Sequence, residues 1–337
     1  VRKIAVLNQK GGVGKTTTVV NVAAAMAGHG FRVLVIDLDP QAHLTIHLGV
    51  DAEQPGCGAY QILSGQAGVH DAAVQVRSNL WLLGAGIELV GAETELVNEV
   101  GREIILRQAI AQVENDFDYL IIDCPPSLGL LTLNALAASE EVIIPVQPHF
   151  LALQGFSRLL QTIALVNSRI NPALHVTAIL MCMFDARTSL SAEVRQDIEK
   201  FLSGSRNQNS PWAGARIVPV HIRRNIKLAE APSYGKTIFE YEPSCHGAAD
   251  YLAVAEFVHT GKIEGRFDIQ IDTASEPGKE TAGNQPAADT TASAAPAVPA
   301  STDTPPVASD TSPVSENSVM ETDHSNTPAS PQHQEGN

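Results

Sequence analysis

Residues Lys10–Thr17 read KGGVGKTT, set between the apolar run Ile4–Leu7 and a helical pattern from Thr16 to about Ala27. This stretch decides the fold class. A polyphosphate needs backbone N–H groups turned inward, and Gly11, Gly12 and Gly14 permit the dihedrals and the close approach that this demands. The dipole of the following helix adds to the anion site. Lys15 offers a point charge to terminal phosphates, and the Thr16 hydroxyl can ligate magnesium. The loop therefore predicts ATP with Mg2+, held by Lys10, Gly11, Gly12, Val13, Gly14, Lys15, Thr16 and Thr17. A strict pattern of this kind needs glycine at position 9. Gln9 stands there instead, with a second lysine, Lys10, beside it.

Outward from the loop, short apolar runs alternate with helical patterns. Arg32–Ile36, Leu80–Leu83, Tyr119–Ile122, Glu141–Pro145, Thr177–Met181 and, last, Arg216–Val220 read as strands. Helical patterns cover Glu103–Val113, Leu153–Asn167 and Ser191–Leu202, and Gly28 and Gly30 supply a stop for the first helix. Continuous apolar strands between helices imply parallel pairing with both sheet faces covered. The expected fold is a doubly wound α/β domain, the mostly parallel sheet of a P-loop NTPase. Asp123 ends the YLII strand at the carboxyl edge, where ligands of parallel sheets gather and where a magnesium-holding aspartate belongs. Asp37 and Asp39 end the RVLVI strand in DLDPQ. Two acids so close repel one another unless a cation or a role in handling water separates them; turn formation before Pro40 is the plainer reading of Asp39.

Charge and composition divide the chain. Of its 337 residues, those from 268 onward contain no Phe, Trp or Tyr and carry eleven acids against the single base Lys279, −10 of the total −15. Such a segment buries too little apolar surface to offset about 1–2 kcal/mol per residue of backbone ordering. The expected organisation is an ATPase domain over 1–267 and a disordered acidic Pro/Ser/Thr/Ala-rich tail over 268–337. Cys57, Cys124, Cys182 and Cys245 lie far apart without a CxxC pair, which suits reduced thiols in a cytoplasmic protein. The first strand begins almost at once, so no leader is expected, and no run of about 18 apolar residues offers a membrane span. Ser203–Ala215 reads as an inserted polar loop with Trp212 exposed. His149 and Phe150 suit ordinary loop packing more than a place at a dimer interface.

NQKGGVGKTTT, DLDPQ, YLIIDCPPSLGLLTLNAL, IPVQ followed by LALQG, FDART and LAEAPSYGK occur in that order, from about Arg2 to about His259. Together they resemble the ParA/Soj branch of the deviant Walker ATPases. The resemblance implies a slow, partner-stimulated ATPase that segregates a chromosome or plasmid with a ParB-type centromere-binding partner. It implies catalytic roles for Lys10, Lys15 and Asp39: Lys10 reaching the partner's nucleotide in an ATP-sandwich homodimer, Lys15 acting in cis, Asp39 orienting the attacking water. Thr16, Asp37 and Asp123 surround the metal, and Cys124–Gly129 senses the γ-phosphate. A lysine supplied by dimerisation acts as an arginine finger does, through charge and position.

Between Arg187 and Lys227 the sequence holds eight Lys/Arg against three acids, enough for phosphate contacts to DNA of any sequence. The family's DNA contacts match Arg187, Arg224 and Lys227. Arg223 stands where the family usually has proline, which questions packing on the adenine side. A cytoplasmic, nucleoid-associated protein is implied, with no membrane expected. The alternatives are a relative that positions another cargo, a MinD-like membrane-surface factor, disfavoured by the acidic tail, and an iron-protein electron carrier, disfavoured by the cysteine positions.

Overall fold

A computed structural model of the chain describes residues 1–52, 58–149 and 152–267. Strands β1 (Arg2–Val6), β2 (Val33–Asp37), β3 (Val74–Arg77), β4 (Leu80–Leu83), β5 (Tyr119–Asp123), β6 (Glu141–Val146), β7 (His175–Phe184) and β8 (Arg216–Ile217) line up in the order β3-β4-β2-β5-β1-β6-β7-β8. The two-residue strand β9 (Ile222–Arg223) also pairs with β7. All pairs are parallel except β3 with β4. The chain leaves central β1 for β2 and β4, then returns to place β5 between β2 and β1. Register follows from this order: Asp123 lies beside Val6 on one flank and beside Asp37 on the other. The phosphate loop and both strand-end aspartates thus meet at one carboxyl edge.

Strand side chains alternate between two cores. Ala5, Leu34, Ile36, Leu120, Ile122, Val142 and Ile144 face helices Ile105–Ile110, Leu130–Ala138, Ala152–Arg169 and Ser189–Ser205. Ile4, Val6, Val33, Val35, Tyr119, Ile121 and Ile143 face helices Lys15–Gly28 and His246–Thr260. Burial on both faces explains the unbroken apolar runs, and the structure bears out the doubly wound class.

Details differ from expectation for local reasons. The first helix runs through Gly28, and Gly30 alone takes the left-handed backbone (φ +98°). Gly30 N–H donates to Ala27 O and Phe31 N–H to Met26 O, at 2.9 and 3.1 Å, which closes the helix in a Schellman turn. The expected Arg216–Val220 strand stops at Ile217, because Pro219 has no N–H to continue a ladder, and β9 follows it. Trp212 is partly buried, stacked on Phe201 at 6.3 Å and packed against the core. The Pro211 carbonyl accepts from Val176 N–H at 2.8 Å and ties that loop to β7. Residues 268–337, Cys57 and Phe150 lie outside the described residues.

Asn171 closes the far end of helix Leu130–Ala138 from outside. Its buried amide donates to the carbonyls of Leu136, Ala137 and Ser139 at 3.0, 3.3 and 2.5 Å. Asn171→Ala leaves helix-end acceptors without donors. It should lower unfolding stability by about 1–3 kcal/mol, several degrees of Tm, with ATP affinity unchanged; an unchanged denaturation midpoint refutes that assignment.

Candidate active site

The phosphate loop joins β1 to the Lys15–Gly28 helix. Gly12 and Gly14 hold φ of +72° and +97°, a region costly for any side chain. Gly11 lies outside that region, and a Cβ there meets no atom within 4 Å, so its bare backbone serves the approach of something else. Beneath Gly14 lies Cys182, whose Sγ would sit 3.5 Å from an added Cβ. Lys15 begins the helix and is only 7% exposed, with Nζ donating to Lys10 O at 3.5 Å. Lys10 is exposed and donates through Nζ to His149 Nε2. The two lysines thus occupy different places, one inside the cradle and one at its rim.

Asp123 and Asp37 are fully buried. Asp123 Oδ2 accepts from Thr16 Oγ1 at 2.6 Å, while Oδ1 has no hydrogen-bond partner among the described residues. An orphaned carboxylate oxygen beside a hydroxyl is a donor set that fits a hard divalent cation such as magnesium. Burial, then the charge of Asp37, pushes the Asp123 carboxyl well above the usual carboxylate range. Asp37 is pushed up to about 7, again chiefly by burial. Its oxygens are more fully engaged: Oδ1 accepts from Asp39 N–H at 3.1 Å, and Oδ2 from Thr45 N–H and Oγ1 at 3.0 and 2.9 Å. Asp37 therefore shapes the DLDPQ turn behind the orphaned oxygen. Asp39 takes part in a turn and reaches the cleft. Its Oδ1 accepts from Gln41 N–H at 3.0 Å in a turn, and its side chain also lines the cleft.

The loop opens into a cavity of about 560 Å³. Its apolar wall comes from Cys182, Met183, Ile222, Leu228 and Pro232, none of which the sequence marked as a wall of the site. Met183 carries a positive φ of +50° where β7 bends at the cleft. Arg223, in place of the expected proline, turns to buried Asp250 at 2.6 Å, so the wall forms without that proline. Glu93 is another residue missed. Its Oε1 accepts from Leu131 N–H at 3.3 Å, capping the helix that follows the Cys124–Gly129 loop. Glu93 lies on the short helix Leu89–Glu95, distant in sequence from the residue it caps, and gives no periodic signal.

The basic stretch is less free than its composition suggests. Arg187 pairs with Asp185 at 2.9 Å, Arg195 with Glu199, Lys200 with Asp197, Arg223 with Asp250, and Lys227 with Glu230 at 2.9 Å. Asp185, Glu230 and Asp250 lie outside the window in which charge was counted. Arg187 holds Asp185 down to about 2, so the pair stays ionic at any ordinary pH. Arg224 is exposed and has no ion-pair partner among the described residues. Its charge also lowers Asp185, which places Arg224 near the Arg187 pair.

Sheet order, loop and strand-end carboxylates define a P-loop nucleotide triphosphatase. A family model described as an AAA domain (AAA_31) matches residues 1–176. The sporulation initiation inhibitor protein Soj of Bacillus subtilis is 44% identical over 256 residues, covering 76% of this chain and 97% of Soj. The chromosome-partitioning ATPase Soj of Treponema pallidum is 40% identical over 250 residues, covering 74% and 93%. Among solved structures, a cobyrinic acid a,c-diamide synthase of Mycobacterium smegmatis with bound ATP analog and magnesium is 36% identical. It covers 78% of this chain and 98% of its own, with a TM-score of 0.64. The chain belongs to the Soj/ParA family of chromosome-partitioning ATPases. It is an ATPase, and its nucleotide is ATP with Mg2+. Among the described residues no helix is long and apolar enough to cross a membrane.

His47, at the end of helix His43–His47, lines the same cleft, is 2% exposed and has no partner for Nε2. Burial pulls its pKa down to about 4, so the folded state holds it neutral. A depressed folded pKa gives stability that is present above the unfolded value of 6.5 and lost as pH falls towards 4. His47→Phe should flatten the fall of Tm between pH 6.5 and 4, an effect of up to about 3 kcal/mol. An identical slope in the variant contradicts this account.

Proposed function

We propose that this ATPase partitions DNA as an ATP-sandwich homodimer stimulated by a ParB-type centromere-binding protein, in the cytoplasm and associated with the nucleoid. The observation that carries the reading is the division between the two lysines. Lys15 is buried inside the loop and acts on the nucleotide of its own chain, whereas exposed Lys10 serves the nucleotide of a second copy. Ile87, 72% exposed, and Val90 leave an apolar surface on the segment that carries Glu93. That surface, too, suits cover by a second copy.

In this reading Gly11, Gly12, Val13, Gly14, Lys15, Thr16 and Thr17 hold the triphosphate. The apolar wall takes the base. Thr16 and Asp123 hold the metal, with Asp37 orienting the turn behind them. When bound there, magnesium would offset the negative charge that develops on the phosphate oxygens. Asp39 orients the water that attacks the γ-phosphorus, and ADP leaves with its bond to that phosphorus broken. Loss of the γ-phosphate reaches the Cys124–Gly129 loop and, through Glu93, the apolar segment. Arg187, Arg224 and Lys227 contact DNA phosphates, with Arg224 foremost because no carboxylate among the described residues pairs with it. Residues 1–267 form the ATPase unit, and 268–337 an acidic tail rich in Pro, Ser, Thr and Ala.

Two variants test the reading. Arg224→Ala should abolish ATP-dependent retardation of DNA of any sequence and leave ATP affinity intact. Each phosphate that Arg224 neutralises also steepens the salt dependence of binding, by roughly one unit of log–log slope. Lys10→Ala should keep ATP affinity within a few-fold yet lose hydrolysis and nucleotide-dependent dimers on gel filtration. DNA binding equal to wild type in Arg224→Ala removes the DNA assignment, and normal dimers in Lys10→Ala remove the sandwich.

A further inference from the structure

Lys10 lies at the rim of the phosphate loop, and both of its ends are tied to the carboxyl end of β6. Its backbone N–H donates to Asn8 Oδ1 at 3.0 Å, and Asn8 Nδ2 donates to Pro145 O at 2.7 Å. Its ammonium donates to Nε2 of His149, three residues beyond the end of β6. An exposed lysine on a flexible four-carbon stem carries about 2 kcal/mol of rotamer entropy. A second anchor at its tip therefore removes much of the search that would otherwise precede contact with a phosphate.

The chemistry of the anchor matters as much as its place. An ammonium has three N–H donors. One directed at His149 leaves two for phosphate oxygens, so anchoring and phosphate contact do not exclude one another. A neutral imidazole also accepts a hydrogen bond without cancelling the lysine's charge, unlike a carboxylate. The ring is kept neutral by partial burial and by the adjacent ammonium, which lower its pKa below the usual histidine value.

We infer that His149 is a positioning residue for the ATPase reaction, holding the Lys10 ammonium in the orientation from which it engages the nucleotide. The inference rests on the reading of Lys10 as the lysine that acts on the second copy's ATP. Nothing in the loop sequence foretells it, because His149 follows Lys10 by 139 residues.

The test compares steady-state ATP hydrolysis by the full chain in its wild-type, His149→Ala, His149→Gln and Lys10→Ala forms and in the double variant Lys10→Ala/His149→Ala. His149→Ala should lower kcat by roughly five- to tenfold, the worth of one hydrogen bond, with KM for ATP nearly constant. Gln presents a neutral acceptor of comparable reach, so His149→Gln should recover most of the lost turnover. The double variant should be no slower than Lys10→Ala, since the two residues act as one unit. Circular dichroism and binding of a fluorescent ATP analogue check that each variant folds. A kcat unchanged in His149→Ala, a loss that Gln does not repair, or additive losses in the double variant each overturn the inference while leaving the role of Lys10 standing. Normal turnover in Lys10→Ala overturns both.

Discussion

Two aspartates at the ends of neighbouring parallel strands set the terms for this molecule. Asp37 and Asp123 are register partners on β2 and β5, shut off from solvent; burial raises the cost of ionising both, and the charge of Asp37 adds to that cost at Asp123. Protein hydrogen bonds satisfy Asp37 but leave one oxygen of Asp123 without a donor. Positive charge brought to this point therefore acts in a medium of low polarizability, where it counts for more than at the surface. Thr16, Lys15 and the amino end of the first helix all converge there. The strand order makes the convergence possible, because β5 enters between β1 and β2 and brings the third element of the site between the other two.

The same junction links nucleotide to surroundings. Thr45, which bonds Asp37, also accepts from Ala85 N–H at 2.8 Å, so the turn after β2 is fastened to the segment after β4. That segment leads to Glu93, which caps the helix following the Cys124–Gly129 loop. The Asp37–Thr45–Ala85 hydrogen bonds are buried, so a small shift at the phosphate end has few ways to dissipate there. Cys182 beneath Gly14 and the Arg223–Asp250 pair fix the opposite wall, from which Arg224 projects.

Most of the fold was legible because a sheet covered on both faces writes itself as continuous apolar runs, and because KGGVGKTT has a chemistry few other sequences share. Element ends were less so. β3 is four residues with little burial, and β8 and β9 are two residues each, too short for any period to declare itself. In the site, the loop and the strand-end acids were visible from local pattern. Glu93, His47 and the apolar wall were not, since their meaning depends on partners far along the chain. Charge counting failed for a related reason. A window over Arg187–Lys227 cannot include Asp185 or Asp250, and it stops short of Glu230, yet the fold sets these acids against its bases. The altered residue at Arg223 looked like a missing wall and proved to be an ion pair, because leucine, isoleucine and proline nearby supply the apolar surface.

Both margins of the sheet are blunt. On one side Pro219 divides the cover of β7 into two fragments, and on the other β3 is short, irregular between Gln75 and Arg77, and pinned where Arg77 grips Glu240. An open margin is a template on which another chain can add a strand. Here neither offers a long straight row of unpaired amides. Copies of this chain can thus meet often without adding strands to one another irreversibly.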